Sequence, residues 1–283
     1  MPSIIIPAYN EGSTITRCLD CLLAGAGADE LEVIVVCNGC RDDTAARARA
    51  FEDRGVTVIE TEVASKSNAL NLGDARATRF PRFYLDADIQ LGIEAVREVT
   101  AMLGDDSSLV VAAPRPVVDL SGRGWAVRAY YRVWTELPYF KEGMVGSGVY
   151  AFSRRGRARF GAFPDIIADD ELARRMAAPS ERANAPNATF TITPPTRLRS
   201  IVDVNTRVRA GMYELEARFP ELSVNRSTSP LRTLAVIAAR PDLWLPAPIY
   251  LGVMFLAKVR AHRKLRRGQQ RHWNRDETAR GRS

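Results

Sequence analysis

No stretch of the chain is apolar over the ~20 residues that a membrane-spanning helix needs. Leu243–Ala257 comes nearest in character, but it is uncharged for only fifteen residues and holds two prolines. The opening residues, MPSIIIPAYNEG, have no basic stretch before the apolar run and no cleavage pattern, so no signal peptide is expected. No G-x-G-x-x-G follows that first run. PAYNEGS stands there instead, which argues against a nicotinamide dehydrogenase. Acids are missing from Leu243 to Arg275, where eight bases fall: Lys258, Arg260, Arg263, Lys264, Arg266, Arg267, Arg271 and Arg275. Those eight exceed the formal net charge of +7, so the rest of the chain is near neutral. Basicity confined to one tail speaks against a nucleic-acid-binding surface and for a local patch with an acidic partner. A hydrophobic share of 46% in 283 residues suits a folded chain of one large or two small domains.

Cysteine is sparse. The four occur as Cys18-x-x-Cys21 and Cys37-x-x-Cys40, a zinc-ribbon spacing. Local structure argues against a shared ion. Ile15, Cys18, Leu19, Leu22 and Leu23 form one helical stripe, which makes Cys18 a core position. Cys37 and Cys40 sit at the far end of an expected strand, roughly 17 Å from Cys21 at about 3.3 Å per residue. Reduced thiols in a cytosolic protein are expected.

What is present is an alternation. Ser3–Ile6, Glu32–Cys37, Val56–Glu60 and Phe83–Leu85 read as strands. Between them, helices are expected up to Leu23, over Thr44–Phe51 and over Lys66–Ala77, with Ser13 or Asn10 capping the first. Such alternation predicts an α/β fold, a sheet with helices on both faces, whose ligands bind beyond the carboxyl ends of the strands. The polar loops Pro7–Ser13, Asn38–Thr44 and Asp86–Gln90 all fall at those ends. In the last, Asp86 and Asp88 flank Ala87. At strand geometry they project to the same side, an arrangement suited to Mg²⁺ or Mn²⁺ held by carboxylates, phosphate oxygens and water. A polar turn is the plainer reading of the same residues.

The segments IIIPAYNEG, VVCNGCRDDT, KSNALNLG and LDADI, in this order and spacing, resemble family 2 glycosyltransferases of the GT-A fold, closely over about the first 90 residues and loosely to about 175. Cys37-Asn38 departs from the two acids common at that place. The resemblance implies a Rossmann-like mixed sheet and an inverting, metal-dependent transfer of a sugar, a hexose by expectation, from a nucleotide-diphosphate donor to an acceptor hydroxyl. It implies that Pro7, Ala8, Tyr9, Asn10 and Glu11 line the nucleotide pocket. Asn38, Gly39 and Asp42 would lie beside the base, Lys66 near the phosphates, and Asp86 and Ala87 on the ribose side, with Asp88 on the metal.

Further along, Leu109–Ala113 and Val149–Phe152 read as strands and Trp125–Leu137 as an amphipathic helix with core aromatics. Gly143–Gly148 is glycine-rich, and in similar enzymes lies beside the sugar and acceptor. Asp169-Asp170-Glu171 opens a helix. Acids there favour the helix dipole, but the family resemblance makes one of them the general base: Asp169 by the spacing to Glu171-Leu172, Asp170 by the acidic pair itself. Arg197, Arg199, Arg207 and Arg209 are candidates to meet a leaving diphosphate. The expected domains are a transferase domain over 1–225, with a nucleotide half 1–90 and an acceptor half 91–225, and a helical basic extension over 226–283. Trp244, Tyr250 and Phe255 ahead of the basic run suit an anionic membrane interface, so the chain is expected in the cytoplasm or peripheral at the inner membrane face. Gln269, Arg271 and Trp273 resemble the Q-x-x-R-W box of processive relatives at the wrong spacing, so single additions are expected. Acceptors are expected to be carbohydrate, lipid-linked or small molecules.

Overall fold

The computed structural model describes residues 1–141, 147–225 and 230–266. Gly143–Gly146 and the Gln269, Arg271, Trp273 box lie outside the described residues. In chain order the elements are β1 (Ser3–Ala8), α1 (Ile15–Leu23), β2 (Glu32–Asn38), α2 (Thr44–Arg49), β3 (Val56–Thr61), α3 (Lys66–Arg76), β4 (Arg82–Leu85) and α4 (Ile93–Met102). They continue with β5 (Val111–Val118), α5 (Trp125–Trp134), α6 (Pro138–Lys141), β6 (Val149–Phe152), α7 (Arg154–Arg157), α8 (Asp169–Met176) and β7 (Arg182–Ile192), and then α9 (Leu198–Arg218), α10 (Pro230–Ala239) and α11 (Ala247–Arg266).

Seven strands form one sheet in the order β3-β2-β1-β4-β6-β5-β7. β1 pairs in parallel with β2 and β4, with Ile5 opposite both Ile34 and Tyr84. β6 runs antiparallel to β4 and β5, which makes the sheet mixed as expected. The continuous apolar run Ile4-Ile5-Ile6 is fully buried. Alternate side chains point to opposite faces, so both faces of β1 are covered. On one face Ile5, Ile34, Val36 and Tyr84 pack with Ala69 and Leu70 of α3 and Ala173 of α8.

Packing divides the chain into two units: Met1–Val117 with Val145–Thr191, and Val118–Met144 with Ile192–Ser283. This division does not coincide with the expected boundary at 225. In the second unit Val127, Tyr130 and Val133 of α5 share a core with Ile201 and Val202 of α9, Ile237 of α10 and Tyr250 and Val253 of α11. Tyr130 stacks on Tyr250 at 5.4 Å, so this aromatic of α5 is core, as read from the sequence. Trp125, at 63% exposure, is not.

Three local expectations are corrected. The helix after β1 is entered through Thr14, whose hydroxyl bonds to Glu11, and not through a Ser13 or Asn10 cap. The fifth strand starts at Val111 and runs on to Val118. The Asp86–Asp88 segment is not a strand continuation. β4 stops at Leu85, and the Ile89 N–H donates to the Asp86 carbonyl at 3.0 Å, closing a turn. The strand alternation invoked for the two carboxylates therefore does not hold them.

Candidate functional site

Two loops at the carboxyl edge are knitted together. The Asp42 carboxylate accepts from the Gly12 N–H (3.1 Å), the Thr44 N–H (3.1 Å) and the Thr44 hydroxyl. Burial works to raise the Asp42 carboxyl, but those bonds outweigh it and hold it below the ordinary range. Thr44 Oγ1 also accepts from the Glu11 N–H at 2.7 Å. Asn10, at φ +51°, accepts the Arg41 N–H on Oδ1 at 2.7 Å. Such left-handed backbone is tolerated by Asn better than by most residues. Gly39 at φ +65° has no such choice, since a Cβ there would lie 2.9 Å from Ala64 Cβ.

Asn38 is 4% exposed, and its Nδ2 donates to the Ala8 carbonyl at 2.8 Å, joining the ends of β2 and β1. Pro7 and Ala8 are buried within β1, Tyr9 is partly buried, and the Glu11 carboxylate accepts from the Thr14 hydroxyl at 2.7 Å. Several side chains that the resemblance assigns to the nucleotide thus brace these loops.

The second cluster centres on Lys66. Ser65 caps α3 by accepting from the Asn68 N–H at 3.2 Å, which sets Lys66 as the first helical residue. The Lys66 ammonium lies 2.8 Å from Asp86 Oδ1 and 3.0 Å from Asp169 Oδ1. Burial disfavours its charge, but Asp169 and then Asp86 outweigh that and push its pKa up. Asp169 is buried on α8, and its other oxygen accepts from the Tyr150 hydroxyl at 3.1 Å. Asp170 is partly buried; it accepts from the Glu171 N–H at 2.8 Å and faces the Ser147 N–H at 3.4 Å. Burial, together with the Asp169 charge, pushes the Asp170 carboxyl up to about 6.

Two devices hold this geometry, and neither was read from the sequence. Asn71 of α3 donates to the Phe163 carbonyl (3.0 Å) and accepts the Phe163 N–H (2.7 Å), which fastens α3 to the segment leading into α8. Buried Glu171 accepts from Arg174 Nε at 2.7 Å and Arg175 Nε at 2.6 Å, which locks the first turn of α8. Tyr150, too, went unmarked; its only signal was a polar tip on the buried strand VYAF. At the start of β6, Gly148 accepts the Asp86 N–H at 2.7 Å and sits at φ +102°, where a Cβ would strike Ile89 at 2.7 Å.

Cys18 is a buried thiol of α1. Burial, then Asp88, with Cys21, Glu11 and Asp86, pushes the Cys18 thiol well up. Cys18 packs on the buried face of α1, while Cys37 and Cys40 lie at the end of β2. The Cys37 thiol is pushed up and that of Cys40 lowered to about 7, each through the hydrogen bond between them.

Among the described residues no three His, Cys, Asp or Glu side chains form a metal cage. Asp88 is exposed, Ala87 beside it is buried, and the Asp86 side chain is 38% exposed. One or two hard carboxylates open to solvent fit a Mg²⁺- or Mn²⁺-type ion that draws its remaining ligands from a diphosphate and water.

The model of the family described as "Glycosyl transferase family 2" matches residues 3–160, more than half of the chain. The chain belongs to glycosyl transferase family 2. A glycosyltransferase, AglE of Haloferax volcanii, is 34% identical over 90 residues, which span 30% of this chain and 30% of that relative. Among solved structures, the mannosyltransferase PcManGT of Pyrobaculum calidifontis, in complex with GDP-Man and Mn²⁺, is similar with a TM-score of 0.59 at 21% identity, over 94% of this chain and 75% of that one. S. aureus TarS 1–349 in complex with UDP is similar with a TM-score of 0.52 at 15% identity, over 98% and 94%. Glucosyl-3-phosphoglycerate synthase of Mycobacterium tuberculosis, with Mn²⁺, UDP and phosphoglyceric acid, gives 0.51 at 20%, over 76% and 78%. The fold of this family 2 chain is therefore GT-A.

Proposed function

We propose that this protein is a non-processive, inverting glycosyltransferase that moves a sugar, a hexose by preference, from a nucleotide-diphosphate donor to an acceptor hydroxyl. The observation that carries the reading is the convergence of Asp86 and Asp169 on Lys66: an acid from the donor edge and one from the helix α8 start share a single charge. A diphosphate entering there competes for Lys66, which frees Asp169 to accept the proton of the acceptor hydroxyl. Tyr150 keeps the Asp169 carboxylate oriented while it does so. Asp88, with Asp86, would hold a divalent ion, which when bound supplies positive charge to the departing diphosphate. The knitted loops bearing Tyr9, Asn10, Asn38 and Asp42 form the nucleotide side. Asp170 is the second reading for the base, favoured by its carboxyl at about 6, close to a working pH. We place the protein's action peripherally, at an anionic membrane surface, with carbohydrate, lipid-linked or small-molecule acceptors.

A thermal-shift screen of nucleoside diphosphates and nucleotide sugars, GDP- and UDP-linked donors included, tests the reading with and without Mn²⁺. A ligand that binds only the folded state raises stability. A metal-dependent shift followed by donor hydrolysis is expected. Binding with no hydrolysis or transfer would leave a nucleotide-binding protein, and the absence of any shift would end the proposal. In calorimetry, Asp88→Ala is expected to remove the metal sensitivity of donor binding.

A further inference from the structure

Helix α11 turns the wrong side outward for a helix in water. Ala247, Tyr250, Val253, Ala257 and Ala261, spaced three and four apart, are each at most 5% exposed and face the core of their unit. The opposite stripe is not polar. Leu251, Phe255 and Leu256 are 39%, 66% and 48% exposed, and Trp244 and Leu245, just before the helix, are 60% and 77% exposed. Scattered single exposed apolar residues are ordinary, but five large ones within the thirteen residues 244–256 are not. Trp244 is also fixed in place: its Nε1 donates to the Ile237 carbonyl at 3.1 Å. One turn further on, the same outward stripe becomes cationic, with Lys258, Arg260, His262 and Arg263 exposed. Of these Arg260 meets an acid, Asp203, at 2.8 Å.

We infer that this outward stripe, Trp244 to Arg263, is a docking face for an anionic lipid bilayer, with α11 lying along the surface. The inference rests on the peripheral placement proposed above, but not on the transfer reaction. The order of the stripe decides the occupant. Leu251, Phe255 and Leu256 enter the boundary between headgroups and acyl chains, Trp244 sits at its polar level, and Lys258 and Arg263 meet lipid phosphates. A second copy fits badly. Parallel pairing would set like charges opposite each other, and antiparallel pairing would bury cations against leucine and phenylalanine without acids.

Co-sedimentation of the full chain with phosphatidylcholine vesicles, and with vesicles that also contain phosphatidylglycerol, tests this. The protein is expected to bind the anionic vesicles, more weakly at high salt, with a blue shift in tryptophan emission. The double variants Leu251→Ser/Phe255→Ser and Lys258→Glu/Arg263→Glu are expected to lose binding at least about tenfold. All four side chains are solvent-exposed, so melting temperature and hydrolysis of a soluble donor should hold. Wild-type binding that survives in both variants would overturn the face assignment. Failure of the wild type to bind any vesicle would overturn it together with the peripheral placement, while leaving donor chemistry standing. Concentration-dependent self-association abolished by Phe255→Ser, with no vesicle binding, would assign the stripe to a second copy instead.

Discussion

Asp86 and Asp169 share one counterion, the Lys66 ammonium at 2.8 and 3.0 Å. Removing it in Lys66→Met leaves two carboxylates facing each other in a half-buried place. Breaking a buried pair costs about 3–5 kcal/mol, and the partial exposure of Asp86 reduces that. A loss of about 2–3 kcal/mol is expected in urea denaturation, with donor turnover near background. Unaltered stability would show that the bridge contributes nothing in solution.

If Asp169 takes the proton, Asp169→Asn should lower turnover by about 10²–10⁴-fold with donor affinity largely kept, the range typical of a lost general base. Asp170→Asn should cost only a few-fold. Steady-state kinetics on both variants decides it. The reverse order would move the role to Asp170, and then the wild-type kcat/KM should climb with pH through about 6, a limb that the Asn variant lacks.

Asp170 also predicts a trade of stability against pH. Its folded-state pKa, about 6, is raised above the ordinary carboxyl value. The folded state therefore holds this proton more tightly than the unfolded chain, and stability falls as pH climbs from about 4 to 6. Above that window the full cost persists. Asp170→Asn should then be more stable than wild type at pH 8 by about 1–3 kcal/mol and nearly equal at pH 4, measured as chemical denaturation at the two pH values.

Asn38 stands where the family resemblance implies an acid. Its amide donates to the Ala8 carbonyl at 2.8 Å inside the protein. Asn38→Asp would set two acceptors against each other and leave the Ala8 carbonyl only the weak Cys40 thiol donor at 3.4 Å, so a loss of about 1–3 kcal/mol is expected. Thermal melting checks this, and a gain in stability would mean that the neighbouring loop re-forms around the acid.

The strands of the nucleotide half were legible because they are short, continuously apolar runs such as IIIP and FYL that only a covered sheet explains. The acids of α8 were legible as a cluster. α4 was missed although Ile93, Val96 and Val99 keep helical spacing, because Glu94, Arg97 and Glu98 dilute a stripe of only three turns. β7 was missed because Pro186 and two asparagines read as a loop. It ends the strand order, and an edge tolerates such residues. The Lys66 bridge could not be read at all. It depends on Asn71 clasping the Phe163 backbone, a contact across sequence that no local pattern announces. Of the expected interface aromatics, Trp244 and Phe255 are exposed, but Tyr250 is buried against Tyr130; in LWLPAPIYLGVMFLA nearly every position is apolar, so no periodicity marks the inner side.

Because Asp42 and Thr44 hold Glu11 and Gly12 by their backbone, the first two strand-end loops behave as one piece. If the proposed nucleotide pocket holds, base preference is not set by the Asn38–Thr44 turn alone. Each change there tugs on the residues after Tyr9, so altered selectivity will come from paired substitutions in both loops, and single-site libraries will mostly return misfolded or unchanged clones.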